Sequence, residues 1–227
     1  MHIEPGIVHG AKMALAYGTA AGGLGLAAKF AWDDLKAHGA IPLATRSVIA
    51  TATVFIFFEV LPTFPVGVSE VHFILGTTIL LLLGIAPAAL GLAAGLAIQS
   101  LFFAPSDLPM YWVNVTTLLF PLFAIAGLAR RIVAPGTAYV DLSYLQVLKL
   151  SAAYQGGIVA WVAFWAIYGQ GAGAETLSAV GTFGMAYLLV ILIEPVLDLA
   201  VLAAAKAGRG GLRNVHLTHP RLHGPAH

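Results

Sequence analysis

The chain has 227 residues, of which 59% are hydrophobic and 9% are charged, with a formal net charge of +1. Soluble domains carry about 25% charged residues, so this composition excludes a soluble globular domain and indicates an integral membrane protein. The net charge gives no information about nucleic-acid binding, and no basic stripe rich in aromatic residues suggests it, so we expect no nucleic-acid partner. The absence of cysteine excludes disulfides, thiolate metal sites and thiol catalysis.

The hydrophobic segments predict one all-α membrane bundle over residues 1–205, which includes an N-terminal metal-binding segment, and a flexible, His-rich cytoplasmic tail over residues 206–227. A helix needs about 20 apolar residues to cross a bilayer, and only helices satisfy their own backbone along one segment in lipid. We therefore expect about seven transmembrane helices. The candidate spans are Met13–Trp32, Ser47–Leu61, Val71–Ile85, Pro87–Phe103, Val113–Leu128, Leu148–Tyr168 and Leu177–Ala204.

The basic residues predict the orientation of the bundle. With seven spans and the N-terminus outside, Lys12 is the one Lys or Arg on the outer side, and the C-terminus is cytoplasmic. An excess of basic residues in cytoplasmic loops is the usual signature of orientation. This arrangement also brings three segments to the outer face: the N-terminus, the loop Pro62–Glu70 and the loop Ala104–Trp112.

The N-terminal sequence MHIEPGIVHG contains a candidate metal site. The α-amine of Met1, the amide nitrogen of His2 and the His2 imidazole can close chelate rings on one divalent ion. We expect the mature protein to keep Met1, since the N-terminus lacks the features of a signal peptide and His is a poor context for removal of Met. The alternative is that Met1 is only the initiator and His2 an ordinary early residue.

A second histidine, His72, lies in the apolar sequence VHFILG at the outer end of the third predicted span. A histidine at such a depth usually faces a cavity or a polar partner. It is either a ligand or the hydrogen-bond partner of a backbone carbonyl or of Glu70. A set of nitrogen donors favours Ni(II), Cu(II) or Co(II) over Mg(II) or Ca(II), and its affinity should fall on acidification because imidazoles must be neutral to bind.

With MHIEPG at the N-terminus and VHFILG at the third span, the chain resembles the CbiM family, the cobalt/nickel substrate-binding membrane subunits of energy-coupling-factor (ECF) ABC transporters. The resemblance implies that the N-terminus tucks into the bundle from outside. It implies that Met1, His2 and His72 bind Ni(II) or Co(II) as the transported substrate. It also implies that Asn114, in YWVNVTTLLFP, supports the site.

The resemblance further implies ATP-driven uptake with separate partners: a membrane coupling (T) subunit, cytoplasmic ATPase subunits and a small accessory membrane subunit. The chain itself has no phosphate-binding loop, so ATP hydrolysis would take place on separate subunits and we expect this chain not to be an enzyme. We also expect a multi-pass protein of the cell membrane, in bacteria the inner membrane, with no covalently bound cofactor. The alternative function is a membrane transporter or scaffold for another small substrate, in which Met1-His2 is not a ligand.

The outer loop Ala104–Trp112 departs from the family pattern, because it lacks the usual His-Gly-Gly stretch. Its Asp107 is either an additional carboxylate at the site or a solvated loop acid. His9 is a further candidate ligand or an interfacial residue. Glu59, near the outer end of the second span, is a candidate for drawing cations towards the site.

Two acids in the last span and the histidines of the tail complete the candidates. Glu194, followed by Pro195, and Asp198 one turn later either bind a proton or mark a bend. The tail either holds arriving metal weakly or is simply solvated. Its histidines are His216, His219, His223 and His227.

Overall fold

The computed structural model describes residues 2–207, so Met1 and the predicted tail from residue 208 onward lie outside the described part. Within it, the chain forms seven α-helices and one β-hairpin. The helices are α1 (Met13–His38), α2 (Ala40–Phe55), α3 (Gly76–Leu83), α4 (Ile85–Phe102), α5 (Tyr111–Ile132), α6 (Tyr144–Gln170) and α7 (Ala174–Ala207). A π-helical segment (Ile56–Val60) extends α2, the strands are β1 (Phe64–Val66) and β2 (Ser69–Val71), and a 3-10 helix (Pro105–Met110) precedes α5.

Five helical segments of the described residues are long and apolar enough to cross a membrane, which confirms a multi-pass helical bundle. They are Ala40–Val60, Ile85–Phe102, Pro105–Ile132, Tyr144–Gln170 and Ala174–Ala207. The first predicted span forms α1, whose C-terminal part is less apolar because it contains the sequence KFAWDDLKAH. The count of seven spans and the outside position of the N-terminus stay predictions.

The third predicted span differs from the expected helix Val71–Ile85. Val71 ends strand β2, the next four residues are not helical, and α3 contains only the eight residues Gly76–Leu83. Directly before α3, the carboxylate of Glu194 on α7 accepts the backbone N–H groups of Ile74 and Leu75. The helix therefore begins at Gly76, five residues after the Val71 that hydropathy indicates, and the two amides before it bond to α7.

The helices pack through small residues where they approach closely. Gly91 and Gly95 of α4 face α2, and a Cβ added at Gly91 would lie 2.4 Å from Cβ of Ala50. At Gly95 an added Cβ would lie 2.6 Å from Cγ1 of Val54. A Gly-x-x-x-Gly pair allows such contact between helices in lipid. Pairing of α2 with α4 forms one side of the bundle, and α5, α6 and α7 pack in sequence around the other.

Candidate metal centre

The N-terminal segment adds to the β-hairpin as a short third strand. Ile3 pairs with Ser69 in an antiparallel bridge, and the amide of Glu70 donates to the carbonyl of His2 at 3.1 Å. The Ser69 hydroxyl donates to the same carbonyl at 3.1 Å. These bonds fix the backbone of His2 beside β2, so that the side chain of His2 lies next to the end of that strand.

Apolar side chains and the first turn of α5 hold this segment in the bundle. Ile3, Ile7 and Val8 are buried, and the Ile3 amide donates to Oδ1 of Asn114 in the first turn of α5 at 2.8 Å. Residues 3–8 therefore pack into one end of the bundle. Asn114 lies where it steadies the backbone directly after His2.

The structure brings His2 and His72 together, with Glu70 between them. The centroids of the two imidazole rings lie 4.7 Å apart. Nε2 of His72 lies 2.9 Å from Oε2 of Glu70, and Nδ1 of His2 lies 3.3 Å from the same oxygen. One donor atom from each of the three residues lies within 4.8 Å of the other two. We call these three residues the His2–Glu70–His72 group.

The two histidines are almost inaccessible, and their nitrogens have few partners. His2 is 2% exposed and His72 is 1% exposed. Within the described residues, neither ring nitrogen of His2 makes a hydrogen bond, and neither does Nδ1 of His72. The 3.3 Å approach of His2 to Glu70 is thus a close contact without hydrogen-bond geometry. Buried polar atoms are normally satisfied, so free nitrogens at this position are available to an ion.

The protonation states of Glu70 and His72 favour binding of a cation. Contact with His2, together with the hydrogen bond to His72, holds the pKa of Glu70 well below its usual range. Burial lowers the pKa of His72, although the Glu70 carboxylate opposes that effect. At neutral pH Glu70 is therefore ionised and His72 is neutral, which are the forms that bind metal. Phe58 packs against both imidazoles, with ring centroids 5.7 Å from His2 and 5.5 Å from His72.

Asp107 supplies a second carboxylate beside the group. Its Oδ2 lies 3.4 Å from Nδ1 of His2, and its side chain is 15% exposed. Asp107 lies in the 3-10 helix Pro105–Met110, on the segment that precedes α5. The loop Ala104–Trp112 therefore places an acid next to His2.

The remaining sequence candidates lie elsewhere. His9 is exposed and lines a groove with Glu4 and Gly169, apart from the His2–Glu70–His72 group. Glu59 is exposed on the π-helical segment and is also outside the group. Met1 and the tail histidines lie outside the described residues.

Sequence reasoning missed Glu70 as a member of the group. It treated Glu70 only as a partner that would make His72 an ordinary buried histidine. A signal was present, because Glu70 and His72 are two positions apart. In an extended segment, residues two apart point to the same side, whereas the helix expected from Val71 onward would separate them.

The geometry of the group suits a divalent ion. Metal–nitrogen and metal–oxygen bonds of about 2.0–2.2 Å place neighbouring donors about 3 Å apart. The contacts of 2.9 and 3.3 Å to Oε2 of Glu70 are in this range. Two imidazoles and a carboxylate can therefore surround one ion with small side-chain movements, and the ionised Glu70 offsets part of its charge.

Comparison with known proteins gives one family. The family model described as cobalt uptake substrate-specific transmembrane region matches residues 2–210 of the chain. No curated protein matches the chain. No solved structure matches it either.

Proposed function

The chain belongs to the cobalt uptake substrate-specific transmembrane family, and we propose that it is the substrate-binding subunit of an ECF-type transporter for Co(II) or Ni(II). As a member of this family it is a multi-pass membrane component of cobalt uptake rather than an enzyme.

One observation carries the proposal: two buried histidines, His2 and His72, converge with the half-buried Glu70 at one end of a membrane bundle. Ionisable residues inside a membrane protein are costly unless they pair or bind a ligand. His2 comes from the N-terminal segment, whereas Glu70 lies in β2 and His72 directly follows that strand. The fold thus joins two distant segments at this point, and among the described residues several imidazole nitrogens have no hydrogen bond, which supports a metal site.

The N-terminus completes the proposed ligand set. Met1 precedes His2 in the chain, so covalent geometry allows its amine and the His2 amide to chelate the same ion as the His2 imidazole. We propose Met1, His2 and His72 as ligands, with Glu70 as a carboxylate that either joins them or orients His72 through its hydrogen bond. Nitrogen donors supplemented by a carboxylate suit Co(II) and Ni(II) better than Mg(II) or Ca(II).

Transport requires partners that hydrolyse ATP. The sequence has no phosphate-binding loop, so we propose separate cytoplasmic ATPase subunits and a membrane coupling subunit, with a small accessory membrane subunit as a further component. The ion enters from the outer side, and movement of this subunit in the transporter releases it inward. This direction follows from the positive-inside prediction.

The test is calorimetric binding of Co(II) and Ni(II) to the full chain in lipid nanodiscs, with intact mass confirming that it begins at Met1. A second protein has one alanine added before Met1, and a matched control has one alanine added after the C-terminus. We expect one-to-one binding by the native protein and the control, and a loss of at least tenfold in affinity on N-terminal extension. Equal binding by all three would remove the terminal amine from the site, and no binding by any would favour a different substrate.

A further inference from the structure

The segment that carries His72 is held by α7, a helix from which no described residue belongs to the His2–Glu70–His72 group. His72 and the three residues after it are not helical. Oε2 of Glu194, on α7, accepts the amide N–H of Ile74 at 3.1 Å, and Oε1 accepts the amide of Leu75. Backbone amides inside a membrane bundle must be satisfied by protein, and for these two amides one carboxylate does so.

A second acid on α7 holds the start of α3. Asp198, one turn after Glu194, accepts a hydrogen bond from the hydroxyl of Thr78. Glu194 is 0% exposed and Asp198 is 1% exposed. Residues four apart lie on the same face of a helix, so both acids of α7 face α3. The predicted pair of span-seven acids thus contacts the broken third span.

The conformation of this segment requires external support. Leu75 has φ 48°, in the left-handed region, which is unfavourable for a residue other than glycine and persists only where surrounding contacts impose it. The amides of Ile74 and Leu75 precede α3, and a carboxylate at the start of a helix is favoured by the helix dipole. Glu194 satisfies both amides and therefore stabilises the break in the helix.

We propose that Glu194 is a positioning residue for His72, so that metal affinity depends on a buried carboxylate that does not touch the metal. His72 is two residues from Ile74, and this short connection transmits any movement of the Ile74 and Leu75 amides to the imidazole. A binding group must be held within about 0.5 Å of its productive position. The inference rests on the proposed function for its affinity readout only, because the position of His72 can be measured without metal.

The experiment compares Glu194→Gln with Glu175→Gln in the full chain with its native N-terminus. Glutamine keeps the side-chain length but replaces one carboxylate oxygen by an NH2 group. Only one of the Ile74 and Leu75 amides then keeps an oxygen as its hydrogen-bond acceptor. Glu175 lies in the first turn of the same helix and is exposed. We expect Glu194→Gln to weaken Co(II) binding about 10- to 100-fold, the usual effect of removing a group that orients a ligand, and Glu175→Gln to leave it unchanged.

A double-mutant cycle separates positioning from general damage. If Glu194 acts through His72, Glu194→Gln should cost little further affinity in a His72→Gln background, since interacting residues give non-additive effects. An equal loss in both backgrounds, or wild-type affinity in Glu194→Gln, would overturn the proposal. Monodisperse elution and an unfolding midpoint for each variant show that folded proteins are compared.

Modification of His72 by diethyl pyrocarbonate, followed by mass spectrometry, gives the readout without metal. His72 is buried in the native protein, so we expect slow modification there and faster modification in Glu194→Gln. Equal rates would overturn the positioning role. If the native protein binds neither Co(II) nor Ni(II) while Glu194→Gln still releases His72, the proposed function fails and the positioning of His72 stands.

Discussion

The backbone amide of Ile3 donates a 2.8 Å hydrogen bond to Oδ1 of Asn114, a residue 111 positions further along the chain. This bond joins the segment that carries His2 to the first turn of α5. Both residues are buried, Ile3 at 0% and Asn114 at 1% exposure. The position of Ile3 therefore depends on α5, which begins directly after the 3-10 helix Pro105–Met110.

Removing the Asn114 side chain should loosen the N-terminal segment. In Asn114→Ala the buried Ile3 amide loses its acceptor, which costs about 1–3 kcal/mol, and we expect Co(II) or Ni(II) affinity to fall by about tenfold in calorimetry. Thr117→Ala, on the same helix, is the control, because the Thr117 hydroxyl bonds to the carbonyl of Val113 in its own helix. Equal affinities for both variants would argue against a supporting role for Asn114.

His72 and His9 should respond differently to substitution. We expect His72→Gln to reduce metal affinity by at least tenfold, because His72 is a member of the His2–Glu70–His72 group. His9→Gln should have no effect, because His9 is exposed and lies apart from that group. A loss of binding in His9→Gln, measured by the same titration, would show that the site extends to the outer groove.

Glu70 should contribute through its charge. In Glu70→Gln the side chain keeps its shape but loses the ionised oxygen that lies 2.9 Å from Nε2 of His72 and 3.3 Å from Nδ1 of His2. We expect a loss of about 10- to 100-fold in metal affinity, together with a changed visible absorption spectrum of the Co(II) complex. Unchanged affinity with an unchanged spectrum would restrict Glu70 to a structural contact.

A glycine on α6 should control how the N-terminal segment packs. A Cβ added at Gly169 would lie 2.1 Å from the carbonyl oxygen of Ile7, whereas one added at Gly156 meets nothing within 4 Å. Gly169→Ala should therefore push the segment outward, lower the unfolding midpoint by overpacking worth about 1–3 kcal/mol and weaken metal binding. Gly156→Ala, on the same helix, should change neither quantity, and a fall in affinity there would point to a general effect of α6.

At the opposite end of the bundle, Arg46 should stabilise the fold as one partner of a buried ion pair. It is 0% exposed, and its Nη2 lies 2.7 Å from Oδ2 of Asp34. Arg46→Met leaves Asp34 without this partner, which typically costs about 3–5 kcal/mol, and should lower the unfolding midpoint measured in detergent. Arg46→Met combined with Asp34→Leu should recover part of the loss. A double variant no more stable than Arg46→Met would show that the bond from Arg46 to the Leu83 carbonyl is the larger contribution.

The sequence predicted the parts of the site whose chemistry is local. Met1-His2 and VHFILG contain nitrogen donors whatever the fold, so His2 and His72 were identified from residue type and position. Glu70 was missed as a member of the group because the hydropathy of Val71–Ile85 indicates a continuous helix. In the structure the first residues of that run are not helical, and the amide of Ile74 bonds to Glu194, which is 120 residues away along the chain.

Composition by itself determined that this is a membrane bundle, because a chain with 9% charged residues cannot cover a soluble surface and must satisfy its backbone within helices in lipid. Only the tertiary structure decided that the third span is broken, that Glu70 and Asp107 lie beside His2, and that His9 and Glu59 lie outside the group. The physical reason is that these outcomes depend on contacts between distant segments. Hydropathy records how apolar each segment is, but not which carboxylate will accept the amides of another helix.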